Sequence, residues 1–165
     1  MRKSLLLLAC VSASAFAQVE ILEEPKRVSK VETSLSLGLA DYKEKYFGKT
    51  WYASLNADYR VKYPFLIGAG LSASSSSDVF MLYPSLRFKV RTPVVSTLKV
   101  DPFVSVKMGY AENKTIRKKK LIAGGSVGME MLYFLGNSYA GVRLGYGVYS
   151  DSRFNHLFVG GIIGF

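Results

Sequence analysis

The stretch from Trp51 to Tyr63 constrains the fold more than any other feature of the chain, because apolar and polar residues alternate across it. Leu55 and Tyr59 lie on its apolar face and Asn56 on its polar face. A period of two predicts a β-strand, since successive side chains of a strand point to opposite faces. Its thirteen residues are about twice the usual strand length in soluble proteins. Aromatic residues at both ends of the apolar face are typical of a strand that crosses a bilayer.

The same alternation recurs along the rest of the chain and predicts eight strands. They are Val31–Tyr42, Trp51–Tyr63, Phe65–Ala73, Phe80–Val90, Val100–Tyr110, Leu121–Tyr133, Tyr139–Tyr149 and Phe154–Phe165. An open sheet edge in hydrocarbon would leave backbone N–H and C=O groups without partners, so the sheet must close on itself. The predicted fold is all-β, an eight-stranded antiparallel up-and-down transmembrane β-barrel.

The connections between the predicted strands are of two kinds. Short turns at 63–64, 92–97 and 135–137 alternate with more polar loops at 43–49, 74–78, 112–120 and 150–153. Tight turns at one end, together with both termini, and polar loops at the other end are typical of bacterial outer-membrane barrels.

Two prolines and three apolar residues interrupt the pattern in strands four to six. Pro84 and Pro102 cannot donate a ladder hydrogen bond, so we expect a bulge or a strand start at each. Phe103, Ile122 and Leu132 fall on faces that are otherwise polar. The registers of these strands therefore stay open at this point.

The start of the chain predicts export. Arg2 and Lys3 precede an apolar segment that ends in Ala15-Phe16-Ala17, the pattern of a signal peptide spanning residues 1–17 and cleaved after Ala17. Cys10 allows an alternative, because Leu7-Leu8-Ala9-Cys10 also fits a lipoprotein lipidation site. Residues 18–29 lack alternation and are predicted to form a periplasmic N-terminal tail, which leaves 30–165 for the barrel.

With eight alternating strands, an export signal and a terminal phenylalanine, the chain resembles the small bacterial outer-membrane β-barrel proteins, such as the transmembrane domain of outer-membrane protein A, OmpX and the opacity-type proteins. The resemblance implies a monomer in the outer membrane of a Gram-negative bacterium, surrounded by lipid and lipopolysaccharide. It also implies that the barrel assembly machinery recognises the last strand. The residues that match this assembly signal are Leu157, Val159, Gly160, Ile163 and Phe165, whereas Phe158 stands where the signal has a polar residue.

Charged residues on the predicted inward faces point to a filled interior. An eight-stranded barrel is just wide enough for side chains to fill, and buried charges require partners. We therefore expect a salt-bridge network that closes the barrel. The alternative is a narrow pore for ions or small solutes, lined by the excess of Arg and Lys. The inward charges are Glu32, Asp58, Arg60, Lys62, Arg87, Lys89, Lys107, Glu130 and Arg143.

An enzyme is the least favoured class. Some barrels of this size act on lipid A, and His156 follows Ser150, Asp151 and Ser152, a set that contains a base, an acid and nucleophiles. The lipid A deacylases that this arrangement resembles carry His-x-Ser, but here Phe158 takes the place of the serine. The sequence also shows no metal-ligand cluster and no cofactor motif. We therefore predict a protein without catalytic activity, cofactor or metal.

The chain is basic, which favours anionic partners. Without Arg2 and Lys3 the 22 Lys and Arg residues become 20, against 12 Asp and Glu. Export disfavours nucleic acid. The run Arg117, Lys118, Lys119 and Lys120 is predicted to stand in an outer loop, either as a solvated segment or as a binding site for lipopolysaccharide phosphates or an anionic host surface. The predicted role is structural or adhesion-like, through the extracellular loops.

Overall fold

The chain forms a closed antiparallel barrel. The computed structural model describes residues 30–43, 49–114 and 118–165. Each strand pairs with the next along the chain, and the last strand pairs with the first, so the ring has no free edge. The predicted eight-stranded antiparallel barrel is thereby confirmed. The strands are β1 (Val31–Tyr42), β2 (Lys49–Lys62), β3 (Phe65–Ser75), β4 (Val79–Val90), β5 (Leu98–Asn113), β6 (Lys118–Leu135), β7 (Ser138–Tyr149) and β8 (His156–Gly164).

Several predictions made from the sequence concern residues outside the described ranges. These are the signal peptide, residues 1–17, with Cys10; the tail, residues 18–29; and Arg117. No helix in the described part of the chain is long and apolar enough to cross a membrane.

The barrel carries its large apolar side chains on the outside. Trp51 is 71% exposed, Leu121 70% and Leu86 63%, whereas Asp58 and Glu130 are almost completely buried. A water-soluble protein has the opposite distribution, because burial of apolar side chains drives its folding. An apolar outer surface around a polar interior is the arrangement of a β-barrel that spans a membrane.

The two ends of the barrel differ in their connections. At the turn end, Gly136 has a positive φ of 66° in the two-residue turn between β6 and β7, a conformation that glycine adopts without strain. Tyr63-Pro64, with a cis peptide bond, joins β2 to β3 at the same end. At the loop end a short 3-10 helix, Ser152–Phe154, precedes β8, whereas the seven-residue connection 91–97 between β4 and β5 lies at the turn end.

Most strands extend beyond their predicted bounds. β5 begins two residues earlier and ends three residues later than predicted, and β6 begins at Lys118 instead of Leu121. Because Glu112 and Asn113 pair with Lys119 and Lys118, the predicted 112–120 loop is shorter than expected. The last strand, by contrast, begins later, since Phe154 belongs to the 3-10 helix.

The predicted irregularity at Pro84 is wrong. β4 continues through Pro84, which pairs with Leu71 of β3. On the other side, Leu82 faces Tyr110 and Ser85 faces Lys107, so the register with β5 is the same before and after the proline. The missing N–H causes only a local gap in pairing, and the exposed ring faces outward with the other apolar side chains.

Pro102 likewise lies inside a strand, where it pairs with Met129. Pairing between β4 and β5 stops at Phe103 and resumes where the two-residue strand Thr92–Pro93 continues β4. The register shift in the barrel occurs elsewhere, in β2 between Arg60 and Lys62. Phe103, Ile122 and Leu132 all turn inward and are buried, so the interior is apolar where the sequence pattern suggested a conflict.

Candidate functional site

Glu130 is the centre of a buried group of ion pairs toward the turn end. Its side chain is fully buried, and three cations approach it. Lys89 Nζ lies 2.8 Å from Glu130 Oε2, while Arg87 Nη1 and Arg143 Nε lie 3.3 and 3.5 Å from Oε1. One carboxylate is therefore shared by three cations.

Asp58 holds two of these cations from the opposite wall of the barrel. Arg87 donates to both carboxylate oxygens, with Nε 2.6 Å from Oδ1 and Nη2 bonded to Oδ2. Lys89 Nζ lies 2.8 Å from Asp58 Oδ2. Two-point contact between guanidinium and carboxylate fixes the orientation as well as the distance.

Arg91 and Asp101 complete the group, although the predicted network included neither. Arg91 donates Nη1 and Nη2 to Glu32, at 2.6 and 2.9 Å, and Nη2 also reaches Asp101 Oδ2 at 2.7 Å. Arg60 contacts Glu32 at 2.7 Å. We call these residues the charge network: Glu32, Asp58, Arg60, Arg87, Lys89, Arg91, Asp101, Glu130 and Arg143.

Lys62 was predicted to point inward, but it is exposed at the turn end. Lys107 was predicted to join this network, and the structure places it apart. Its Nζ lies 4.8 Å from the ring centre of Tyr83 and 5.5 Å from that of Phe158. Among the described residues no carboxylate comes within salt-bridge distance of it. Lys107 is nevertheless buried, with 8% of its surface exposed, so aromatic ring faces are its neighbours instead of anions.

Toward the loop end, aromatic rings fill the barrel instead of charges. Tyr52 meets Phe158 edge to face at 5.8 Å, and Tyr83 meets Tyr149 at 6.0 Å. Packed rings of this kind stabilise an interior beyond the area that they bury. We call the buried residues of this region the aromatic cluster: Ala40, Tyr42, Tyr52, Val79, Met81, Tyr83, Phe103, Ala111, Ile122, Tyr149, Phe154 and Phe158.

Gly160, a residue of the predicted assembly signal, makes room for the aromatic cluster. A Cβ at this position would lie 2.7 Å from the Tyr52 hydroxyl oxygen and 2.8 Å from the Cα of Gly38 on the paired strand. Neither distance is compatible with a real side chain, so only glycine allows this close approach. Gly160 thus has a local packing role on the inside of β8.

The other residues of the assembly signal face outward. Leu157, Val159, Ile163 and Phe165 are each about half exposed or more. The Phe165 N–H donates to the Thr33 carbonyl at 2.9 Å, and the Phe165 carbonyl accepts from the Thr33 N–H at 3.0 Å. Phe158, the residue that departs from the signal, turns inward to the aromatic cluster and is buried.

His156 and the serines and aspartate before it do not form a catalytic triad. His156 Nδ1 lies 3.0 Å from the Phe154 carbonyl oxygen, and its ring packs against Tyr42 and Tyr149 at 4.7 and 5.5 Å. The Asp151 carboxylate instead contacts Arg153 at 2.7 Å and Lys120 at 3.2 Å. The Asp151 carboxylate therefore forms ion pairs near the surface, while the His156 imidazole is buried.

The predicted anion-binding run lies at the loop end, mostly inside a strand. Lys118, Lys119 and Lys120 are the first residues of β6. The side chains of Lys119 and Lys120 are exposed, and Lys120 shares Asp151 with the equally exposed Arg153. The hydrogen bonds from Arg153, and then the one from Lys120, hold the pKa of Asp151 below its usual value. Because Lys120 and Arg153 share one carboxylate, this part of the loop end has an excess of positive charge.

A cavity about the size of one water molecule is lined by Lys107, Arg143, His156 and neighbouring side chains. Among the residues that the structure describes, no group of three or more His, Cys, Asp or Glu side chains is placed to hold a metal ion.

Comparison with known proteins identifies the fold. No family model and no curated protein matches the sequence. Among solved structures, the N-terminal β-barrel domain of Pseudomonas aeruginosa OprF has a TM-score of 0.61 at 10% identity, over 81% of this chain and 96% of that one. Neisserial surface protein A (NspA) has a TM-score of 0.60 at 11% identity, over 81% and 94%.

A third similar structure is Ail of Yersinia pestis in complex with the heparin analogue sucrose octasulfate, with a TM-score of 0.56 at 13% identity. The alignment covers 83% of this chain and all of that one. At such identities the likeness is one of fold. The chain has the eight-stranded architecture of small outer-membrane barrels.

Proposed function

We propose that this protein is an exported outer-membrane barrel with a closed interior, whose loop end binds anionic surfaces. The observation that carries the proposal is the set of exposed cations at the loop end: Lys120 and Arg153 share the carboxylate of Asp151, and Lys119, next to Lys120 in β6, is also exposed. Fixed positive charges attract phosphate and sulfate groups without requiring a shaped pocket. The role is then adhesion-like or structural, and no catalysis is involved.

Two further observations support binding at this end of the barrel. Lys114, also at the loop end, is exposed and directs Nζ to the Ser76 carbonyl oxygen at 2.7 Å. The similar barrel Ail was solved in complex with the heparin analogue sucrose octasulfate, which supports the choice of a sulfated ligand here. Phosphates of lipopolysaccharide and sulfates of host polysaccharides offer the same chemistry to the lysines of this chain.

Binding can be measured on the protein in phospholipid nanodiscs, over immobilised sulfated polysaccharide and over lipid A vesicles with and without phosphates. We expect salt-sensitive binding that falls about tenfold or more in the double variant Lys119→Ser, Lys120→Ser, because each surface cation contributes about 1 kcal/mol. The matched control is Lys30→Ser, Lys62→Ser, which removes two exposed lysines at the turn end. Equal losses in both double variants would contradict a loop-end site, and the two surfaces distinguish sulfate from phosphate as the ligand.

A closed interior is the second part of the proposal. Lys89 and Glu130 are fully buried toward the turn end of the barrel, and the aromatic cluster fills the section toward the loop end. We expect purified protein in a planar bilayer to show no steady conductance. Regular single-channel steps would support the alternative, a narrow pore for ions or small solutes.

The location in the outer membrane is supported by the apolar outer surface and by the similar outer-membrane structures. Fractionation of the producing cells, followed by mass spectrometry of the mature chain, tests it. We expect the protein in the outer-membrane fraction with Gln18 as its first residue. A lipid-modified Cys10 at the N-terminus would establish the lipoprotein alternative.

A further inference from the structure

A small cavity lies where the charge network meets the aromatic cluster. Lys107 and Arg143 line it together with Tyr52, Ser54 and Ser72. It has about the size of one water molecule. Among the described residues that line it, none carries a carboxylate, so the cavity has cations and hydroxyl groups but no anion of its own.

The buried charges around this cavity do not balance. The charge network contains four carboxylates and five cations, and Lys107 adds a sixth cation. Of these charged residues, two cations line the cavity, Lys107 and Arg143. Arg143 shares Glu130 with Arg87 and Lys89, while Lys107 lies over two ring faces and has no carboxylate partner among the described residues. A buried charge without a counterion is strongly unfavourable.

Hydroxyl groups beside the cavity have hydrogens to donate. Ser54 Oγ accepts hydrogen bonds from Arg143 Nη1 at 3.1 Å and from Asn56 Nδ2 at 3.3 Å, so its own hydrogen is available to a further acceptor. The Tyr52 hydroxyl is buried and has no hydrogen-bond partner within the part of the chain that the structure describes. A buried polar group of this kind calls for an acceptor nearby.

We propose that the cavity binds a monatomic halide ion, chloride under cellular conditions, between Lys107 and Arg143. Such an ion supplies the missing negative charge, accepts hydrogen bonds from Tyr52 and Ser54, and is only slightly larger than water. Sulfate, phosphate and organic anions are too large for the cavity. This site is buried inside the barrel and is independent of the exposed loop-end cations, so it goes beyond the proposed function.

Bromide replaces chloride in such sites and can be located by its anomalous scattering. Crystals of the wild-type protein grown in sodium bromide should show an anomalous peak in hydrogen-bond reach of Lys107 Nζ. An anomalous map without a peak in the cavity would overturn the proposal and would indicate that Lys107 is uncharged there. This experiment needs no variant, so it does not depend on whether substitutions at Lys107 fold.

Stability gives a second measurement. The folding equilibrium of the protein in detergent micelles should shift in favour of the folded state by about tenfold when a halide is present at about ten times its Kd, compared with gluconate at equal ionic strength. Lys107→Met should abolish the shift. Lys99→Met is the matched control, because the Lys99 side chain also lies over an aromatic ring, that of Phe134 at 4.1 Å, but near the turn end. Equal stability of the wild type in bromide and gluconate, or an unchanged shift in Lys107→Met, would refute the halide site.

Discussion

The charge network and the aromatic cluster fill the same barrel by different means. The network occupies the turn-end halves of its strands, where each carboxylate meets two or three cations. The cluster occupies the loop-end halves, with the exception of Phe103, and packs rings against glycines. The first arrangement depends on matched charge and tolerates little loss of a partner. The second depends on shape and tolerates little added volume.

Both arrangements join residues that are far apart in the sequence. Arg91 and Glu32 are 59 residues apart and Arg143 and Ser54 are 89 apart. These contacts form only after the strands have been brought together, so they stabilise the closed barrel and contribute nothing to an isolated hairpin. The interior thus strengthens closure, while the outer surface provides the match to lipid.

The largest effect is expected from Glu130→Gln. The substitution keeps the shape but removes the charge that Lys89, Arg87 and Arg143 share. Removing one partner of a buried ion pair leaves uncompensated charge, so we expect the free energy of unfolding to fall by about 3–5 kcal/mol. Urea unfolding from phospholipid vesicles measures the change.

Glu112→Gln is the control for Glu130→Gln, because Glu112 is only half-buried at the loop end. Its loss should cost less than about 1 kcal/mol, as is usual for exposed charges. If the two variants lose similar amounts, the distinction between a charge-dependent and a shape-dependent region fails.

A smaller effect is expected from Gly160→Ala in the aromatic cluster. The new methyl group would meet the Tyr52 hydroxyl and the Gly38 backbone, and overpacking of this kind costs about 1–3 kcal/mol. The adjacent Gly161→Ala is the matched control, since no heavy atom lies within 4 Å of its added Cβ. Its stability should change by less than about 0.5 kcal/mol.

The double variant Gly160→Ala, Tyr52→Phe distinguishes the contact with the Tyr52 hydroxyl from the contact with the Gly38 backbone. Removal of the hydroxyl should restore part of the loss if the tyrosine is one of the obstacles, while the contact with Gly38 remains. Equal stability of Gly160→Ala and Gly161→Ala in the same assay would show that the close approach of β1 and β8 is not tightly packed.

The sequence predicted the fold because alternation is a property of each strand alone. β1 was predicted with its observed bounds, and the inward direction of Asp58, Arg87 and Glu130 follows from the same period. Strand ends were predicted less well, since β5 ends three residues later than predicted and β6 begins at Lys118 instead of Leu121. Arg91 was missed because it lies just past the end of β4 at Val90, where it continues the inward face of Arg87 and Lys89. The irregularity expected at the prolines did not occur within the strands, because strand pairing in a barrel tolerates a single missing N–H.

The partners inside the barrel could not be predicted in the same way. Which inward charge meets which depends on the stagger between strands distant in the sequence, and on the space left by neighbours. Lys107 has the same inward pattern as Lys89, yet one lies between aromatic rings and the other between two carboxylates. Alternation gives the direction of a side chain and leaves its contacts undetermined.

Asp151 extends the comparison to the surface of the barrel. Like Glu130 it is shared by several cations, but it is not deeply buried. Asp151→Asn should leave global stability within about 0.5 kcal/mol of wild type, in contrast to Glu130→Gln. Its effect should be local: Asp151 accepts from the Arg153 N–H at the start of the 3-10 helix and binds the Arg153 and Lys120 side chains. Hydrogen exchange of the Ser152–Phe154 amides should therefore be faster in the variant at neutral pH.

The pH dependence of that exchange tests whether the ionised form of Asp151 stabilises the 3-10 helix. Hydrogen bonds from Arg153 and Lys120 lower the pKa of Asp151 in the folded protein, so its stabilisation is fully present above the carboxyl's unfolded pKa of about 4. It is lost only as the pH falls further, through the lowered pKa. Wild type should approach the Asp151→Asn exchange rates, corrected for intrinsic exchange, only in this acidic range. Convergence of the two proteins near pH 6 would contradict the role of Asp151, and would mean that surface charge sharing does not order the loop end as buried charge sharing orders the turn end.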